Sequence, residues 1–421
     1  MGGFLDLACI NFLLISRCSA IIIAMIKTLA AMLTLVAINA QTRQVSEEEV
    51  VRVHQSALLI DSHNDVTSFT VDGMDIGKVQ PKRHTDLLKL KQGGVGAVFF
   101  AVYVGSSYVE GNHAAHRTLE MIDTVKHDIA SRYPGEFALA TTSAEIESAK
   151  KNGKIAVLLG VEGGHAIEDS LRLLRSYYSL GVRYMTLTHS NSNNWADSSG
   201  DAGKHSGLTP FGKQVVAEMN RLGMMVDISH VADKTFYDVL AASRAPIFAS
   251  HSSCRAISPI ARNMTDDMIR SLAGKGGLIQ INFGCEFLSA KSADTSTWTN
   301  TARRSAVEAE LAKLGKLTPQ RREEESEAIT KRLGLQTIRA TLADVVAHIE
   351  HVIKIAGADH VGIGSDFDGV SCVPLGLDDV SKFPALTRAL LERGHSAEEI
   401  RKIYGGNLLR VMRAVEKGAQ P

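Results

Sequence analysis

The chain has 421 residues, 45% of them hydrophobic and 22% charged, an ordinary globular balance that excludes extensive disorder. Lysine plus arginine and aspartate plus glutamate stand at 46 each, so no basic excess points to nucleic acid. The length suits two or three average domains or one large α/β barrel.

Residues 19–40 are almost wholly apolar apart from Lys27 and Thr28. From Met25 the text reads as a signal peptide, with an early lysine, an apolar run over 29–38 and small residues ending at Ala40. That run is short for a membrane span. The expectation is an exported protein, periplasmic or extracellular, whose true initiator is Met25 and whose mature chain begins near Gln41. An uncleaved anchor built from both apolar pieces of the leader (1–40) is the alternative, and is the only membrane contact expected. Cys9 and Cys18 fall in the leader. Cys254, Cys285 and Cys372 remain, an odd number without a short-range pairing pattern. Each reads as a buried apolar thiol, although export permits two of them to pair.

Along the mature chain, Ser46 ahead of Glu47, Glu48 and Glu49 supplies an N-cap and an acidic first turn, with Val50, Val53 and Ala57 as the apolar stripe. The first strand is expected over 58–61, a polar loop and short helix over 66–89, and the second strand over 94–104. A long amphipathic helix over 113–133 carries Leu119, Ile122, Val125 and Ile129 on one face. Its His113 and His116 read as surface residues. Further strands are expected at 155–161, 182–188, 224–228, 247–250, 278–283 and 360–365, with helices between most of them, one opening at Thr209-Pro210. Eight strands alternating with helices predict a single (β/α)8 TIM-type barrel over 46–416. Residues 289–335 break the rhythm with Ser/Thr-rich and then charged helical text lacking a strong apolar face. They read as a solvated insertion after strand seven.

Five of the strand-like runs stop at metal-capable side chains: ALLIDSHND, IAVLLGVEGGH, MMVDISH, PIFASHSS and HVGIGSDFDG. A buried parallel strand running into a functional loop has this pattern, and in a barrel such ends converge at one mouth. His63 and Asp65, two apart, share a face of an extended chain. Glu162 ends an apolar strand where an unpaired carboxylate is costly, and its two oxygens can bridge two ions. His230 and His251 suit Zn2+. Any one of these histidines reads as a core residue; the ordered set reads as a binuclear centre. Two such ions activate a water and polarise a carbonyl, the route to amide hydrolysis without a covalent intermediate. The acid that protonates the leaving amine is then Asp366, with Asp368 as the alternative.

The motifs GVEGGH, LTHSNSNNWADS, LTPFG, DISH, SHSSCRAISPIARN, HVGIGSDFDG and GGNLLRV resemble the renal (membrane) dipeptidase family of metallopeptidases, in its bacterial branch, over about 46–415. The resemblance implies a barrel with two zinc ions per chain that hydrolyses dipeptides, often with a C-terminal D-residue. His63 and Asp65 would hold one ion, His230 and His251 the other, and Glu162 would bridge them. It further implies that His189 contacts substrate and the developing oxyanion, that Arg262 takes the substrate's free carboxylate, and that Asp366 is the acid/base group. Expected partners are a dipeptide substrate and a second copy of the chain in a homodimer. The cysteine that follows the LTHS motif in mammalian members is absent, so their disulfides are not expected. The loop Asn282-Phe283-Gly284 and the insertion also depart from the family. The alternative is another binuclear barrel amidohydrolase acting on N-acyl amino acids or cyclic amides; those commonly need a bridging lysine, where this chain has Glu162.

Overall fold

Every residue of β1 (Leu59–Asn64) and β4 (Ile155–Glu162) is buried in the computed structural model, which describes residues 43–317 and 319–420. Strands buried on both faces carry no polar alternation, which explains the near-continuous aliphatic text of β4, while β1 turns polar after Leu59 and Ile60 as it nears the mouth of the barrel. The leader lies outside the described residues. Among the described residues, Val45–Leu391 and residues 395–420 form one large compact unit. The large unit holds the barrel. Among the described residues no helix is long and apolar enough to cross a membrane.

The remaining strands are β2 (Val95–Tyr103), β3 (Phe137–Leu139), β5 (Val182–Thr186), β6 (Met225–Asp227), β7 (Phe248–Ser252), β8 (Leu278–Ile281) and β9 (Val361–Ile363). All pair in parallel in the order β1-β2-β4-β5-β6-β7-β8-β9, the nearly closed eight-strand α/β barrel that the alternation predicts. β3 was not expected. It pairs with the first half of β4, Phe137 with Ile155 through Leu139 with Val157, while β5 takes the second half from Leu159. β5 and β8 end earlier than expected, at Thr186 and Ile281.

The ring closes between β9 and β1 by few bonds. Asn64 and Phe367 form an isolated parallel bridge, and Asp366 N donates to His63 O at 3.0 Å. Asp61 adds a side-chain clasp: its carboxylate accepts from Ser365 N at 2.8 Å and from Ser365 Oγ. Ser62 Oγ donates to Ile363 O at 3.1 Å. Burial pushes the Asp61 carboxyl up to about 6 even against these donors.

Helices cover the outside and start where the text supplies caps, as at Thr142, whose side chain and Glu145 form a capping box. The expected long helix runs as Ala114–Asp123 and continues over Thr124–Ser131 in wider π-type turns. Ile122, Val125 and Ile129 are buried as expected, but Leu119 is 46% exposed, because the buried face of Ala114–Asp123 runs through Ala114, Thr118, Met121 and Ile122 and Leu119 lies to one side of it. The insertion contains helices Thr301–Leu311 and Pro319–Arg332. Contrary to expectation it has an apolar seam of its own, Val307, Leu311 and Ile329, laced by the Arg332–Glu310 pair at 2.8 Å. Cys285 and Cys372 form a disulfide, with Cα atoms 5.4 Å apart. The buried-thiol reading is therefore corrected for those two and stands for Cys254.

Candidate metal centre

The C-terminal ends of β1, β4, β6, β7 and β9 bring together His63, Asp65, Glu162, His230, His251 and Asp366. All six are buried. Glu162, the last residue of β4, stands at the middle. Its Oε2 faces His63 Nε2 at 3.5 Å, and its Oε1 faces His230 Nε2 at 3.0 Å and His251 Nε2 at 3.2 Å. His63 Nε2 lies 3.1 Å from Asp65 Oδ2. Potential ligand atoms thus fall into overlapping groups: His63, Asp65 and Glu162; Glu162, His230 and His251; and His63, His251 and Asp366.

Second contacts hold these rings in place. His251 Nδ1 lies 2.7 Å from Ser250 Oγ, which donates to Asp227 Oδ2 at 2.6 Å. Asp227 also accepts from the backbone N–H groups of Ser229 and Ser250 at 3.0 and 2.8 Å. His63 Nδ1 lies 2.8 Å from Tyr184 Oη. His230 and Asp366 sit at φ of 67° and 61°, left-handed conformations that non-glycine residues adopt only where the surroundings enforce them.

Burial, followed by the Arg262 charge, holds the His230 imidazole well below its ordinary value, and burial with the His63 charge does the same for His251. Both are therefore neutral, the form that can bind a cation. Burial opposes ionisation of Glu162, yet His63, His189 and the hydrogen bonds from His230 and His251 hold its carboxyl well below the usual range. His63 is held well above its ordinary value: burial works against it, but Tyr184, Asp65 and Glu162 outweigh that. Its Nε2 and Asp65 Oδ2 are both buried without a hydrogen-bond partner.

Asp366 differs from the other carboxylates. Burial, reinforced by the negative charge of Asp65, pushes it well above the usual range, although Asn282 Nδ2 donates to its Oδ2 at 2.7 Å. A Cβ at Gly369 would stand 2.3 Å from Asp366 Oδ1 and 2.4 Å from Asp65 Oδ2, so only glycine leaves this space free. Asp368 turns away, accepting the backbone N–H of His84 at 2.8 Å. Arg262 is buried and donates through Nη2 to His251 O at 2.6 Å, while its Nε and Nη1 have no partner; burial pulls it down to about 10. His189 lies between Tyr103 and His230, with ring centroids 4.8 and 4.5 Å away, and its Nε2 is 3.9 Å from Glu162 Oε1. His63, Asp65, Glu162, His189, His230, His251, Arg262 and Asp366 thus gather here, whereas Asp368, the alternative acid, does not. Tyr184, Asp227 and the role of Asn282 carried no sequence signal; only the position of Asp227 three residues before His230 hinted at a support. His116, by contrast, is a surface residue paired with Glu120 at 3.2 Å.

A parallel barrel that gathers a carboxylate between two sets of imidazoles at its C-terminal mouth is the framework of a metal-dependent hydrolase. The chain matches the model of the membrane dipeptidase family, peptidase family M19, over residues 47–421, and it belongs to that family of metallopeptidases. A fungal relative, "Dipeptidase verJ" of Clonostachys rogersoniana, is 38% identical over 376 residues, covering 85% of this chain and 84% of its own. Among solved structures, the probable dipeptidase PvdM of Pseudomonas aeruginosa superposes with a TM-score of 0.76 at 27% identity, covering 88% of this chain and 98% of its own. A metallo peptidase from Rhodobacter sphaeroides, liganded with a phosphinate mimic of the dipeptide L-Ala-D-Ala, gives 0.69 at 26% identity, covering 85% and 99%.

Proposed function

We propose that the protein is a binuclear zinc dipeptidase that hydrolyses the peptide bond of dipeptides, including those with a C-terminal D-residue. The observation that carries this reading is the division of Glu162, one oxygen toward His63 and the other toward His230 and His251. The donor set of nitrogens and carboxylates suits zinc, and the unpartnered His63 Nε2 and Asp65 Oδ2 are atoms that a cation would satisfy. His63 and Asp65 would hold one ion, His230 and His251 the other, and Glu162 both. When bound, such ions supply Lewis acidity and lower the pKa of water.

The chain's own residues do the rest. Asp366, with its raised carboxyl, carries the proton to the departing amine nitrogen. Arg262 brings a buried planar guanidinium, with Nε and Nη1 still unsatisfied, to the carboxylate of a dipeptide, and His189 donates to the developing oxyanion. Tolerance of a D-residue is supported by the mimic bound to the Rhodobacter sphaeroides relative. Export is supported by the leader text and by the Cys285–Cys372 disulfide, which suits an oxidising compartment. We further propose that 46–416 is one catalytic domain and that the chain forms a homodimer, which light scattering checks. Placement in the bacterial branch rests on motif likeness alone, beside a fungal relative at 38% identity.

The decisive experiment is elemental analysis of zinc-reconstituted protein together with a panel of L-L and L-D dipeptides, their C-terminal amides and N-acyl amino acids. About two ions per chain and turnover confined to free dipeptides are expected. One ion, or a preference for N-acyl amino acids, overturns the reading.

A further inference from the structure

We propose that the Cys285–Cys372 disulfide is a positioning device for Asp366, clamping together the two rim loops that fix its carboxyl and shielding them from movement of the insertion. This rests on the reading of Asp366 as the acid/base group. The first loop follows β8 and carries Asn282, whose Nδ2 donates to Asp366 Oδ2 at 2.7 Å. The Asn282 amide is itself oriented by Gly284 N, which donates to its Oδ1 at 2.6 Å. The second loop follows β9 and holds Asp366 and Asp368 at left-handed φ of 61° and 67°, conformations that need enforcement from outside. Three contacts tie the loops together. Phe283 N donates to Ser365 O at 3.0 Å, Cys285 N donates to Cys372 O at 2.9 Å, and the Phe283 and Phe367 rings pack edge-to-face at 5.6 Å. The disulfide closes this set covalently.

Its two cysteines are 87 residues apart in sequence, and the enclosed chain contains the whole charged insertion. The chain leaving the insertion returns to the same place: Arg339 Nε donates to Val373 O at 2.9 Å and Leu375 N to Ala340 O at 2.8 Å. The insertion therefore starts shortly after Cys285 and the chain leaving it is bonded shortly after Cys372. With the bond intact, Asn282 and Asp366 keep their register whatever the insertion does. With it open, only non-covalent contacts, the Asn282–Asp366 hydrogen bond among them, hold a backbone that resists its own conformation.

The test compares wild type, a Cys285→Ser/Cys372→Ser double variant and a Cys254→Ser control, each loaded with zinc, by dipeptide kinetics and amide hydrogen exchange. We expect kcat of the double variant to fall ~10-fold or more, as small misplacements of reacting groups do. KM and metal content should stay within about twofold of wild type, the acid limb of the kcat–pH profile should move, and exchange should quicken within 363–372. Dithiothreitol acting on folded wild type, and removed anaerobically before zinc is loaded, should reproduce this. It supplies two electrons and two protons, opens the bond to two thiols and becomes its own cyclic disulfide, and thiol titration confirms the opening. If the double variant does not fold, the reduced wild type carries the test. Unchanged exchange with kcat within about twofold overturns the proposal. Asp366→Asn separates the two ideas: if it retains kcat, the acid/base reading has failed, whereas an inactive Asp366→Asn beside an unaffected disulfide variant removes only the positioning role.

Discussion

Tyr184 lies across the barrel interior with its hydroxyl 2.8 Å from His63 Nδ1. The hydroxyl donates to Ser62 O at 3.2 Å, so it accepts from Nδ1–H of His63, and Nε2, which faces Asp65 and Glu162, is the nitrogen that would be given to a cation. Gly160 makes room for the ring: a Cβ there would stand 2.0 Å from Tyr184 Cζ.

Tyr184→Phe should therefore weaken metal binding ~10- to 100-fold, the usual cost of removing a support behind a ligand histidine. A chelator competition titration reads this directly. Gly160→Ala should do the same or worse, since it expels the ring. Wild-type affinity in Tyr184→Phe would mean that the tautomer of His63 is set by something else.

Asp366→Asn preserves shape and removes the proton carrier. A fall in kcat of ~10²- to 10⁴-fold is expected, with metal content retained and KM changed much less. Loss of bound metal in step with activity would instead make Asp366 a ligand.

Arg262→Ala should cost a few kcal/mol in kcat/KM toward free dipeptides, about the value of a charge-assisted pair, and should leave C-terminal amides nearly unaffected. Arg262→Lys should rescue little, because an ammonium cannot present a planar fork. The measurement is the ratio of kcat/KM for a dipeptide and its amide; a ratio unchanged from wild type would place the carboxylate elsewhere.

His348 gives a pH signature outside the centre. Its Nδ1 accepts from Cys254 N and its Nε2 donates to Leu288 O, each at 3.0 Å, which requires a neutral ring. Burial pulls it from 6.5 down to about 4. The unfolded chain takes up a proton as pH falls below 6.5, whereas the folded chain refuses it until about 4. Stability from this group is thus complete above 6.5 and lost as pH falls across that window, by a few kcal/mol at most. His348→Gln should flatten that part of the urea-midpoint profile; taking the difference between parent and variant cancels the contribution of metal loss. Parallel profiles would show that His348 accepts the proton.

The centre was legible because each of His63, Glu162, His230, His251 and Asp366 interrupts an apolar run, and polar residues at buried strand ends need a reason. Tyr184 was not, because an aromatic within a strand looks like core whether or not its hydroxyl works. β3 has three residues, too few for any periodicity. The disulfide joins cysteines 87 residues apart, and three cysteines allow three pairings that spacing cannot rank. Leu119 was misplaced because the buried face was drawn through the large aliphatic residues, whereas Ala114, Thr118 and Met121 define it with Ile122.

The β9–β1 junction has a further consequence. It is held by an isolated bridge and the Asp61–Ser365 clasp rather than a continuous ladder, and His63 and Asp366 stand on its two sides, joined by one backbone bond of 3.0 Å. A ring opens most readily at seams with few ladder bonds. Here that place separates His63, the proposed ligand, from Asp366, the proposed acid, so mild warming or low denaturant should silence turnover while the helical signal still reads native, and cooling should restore it.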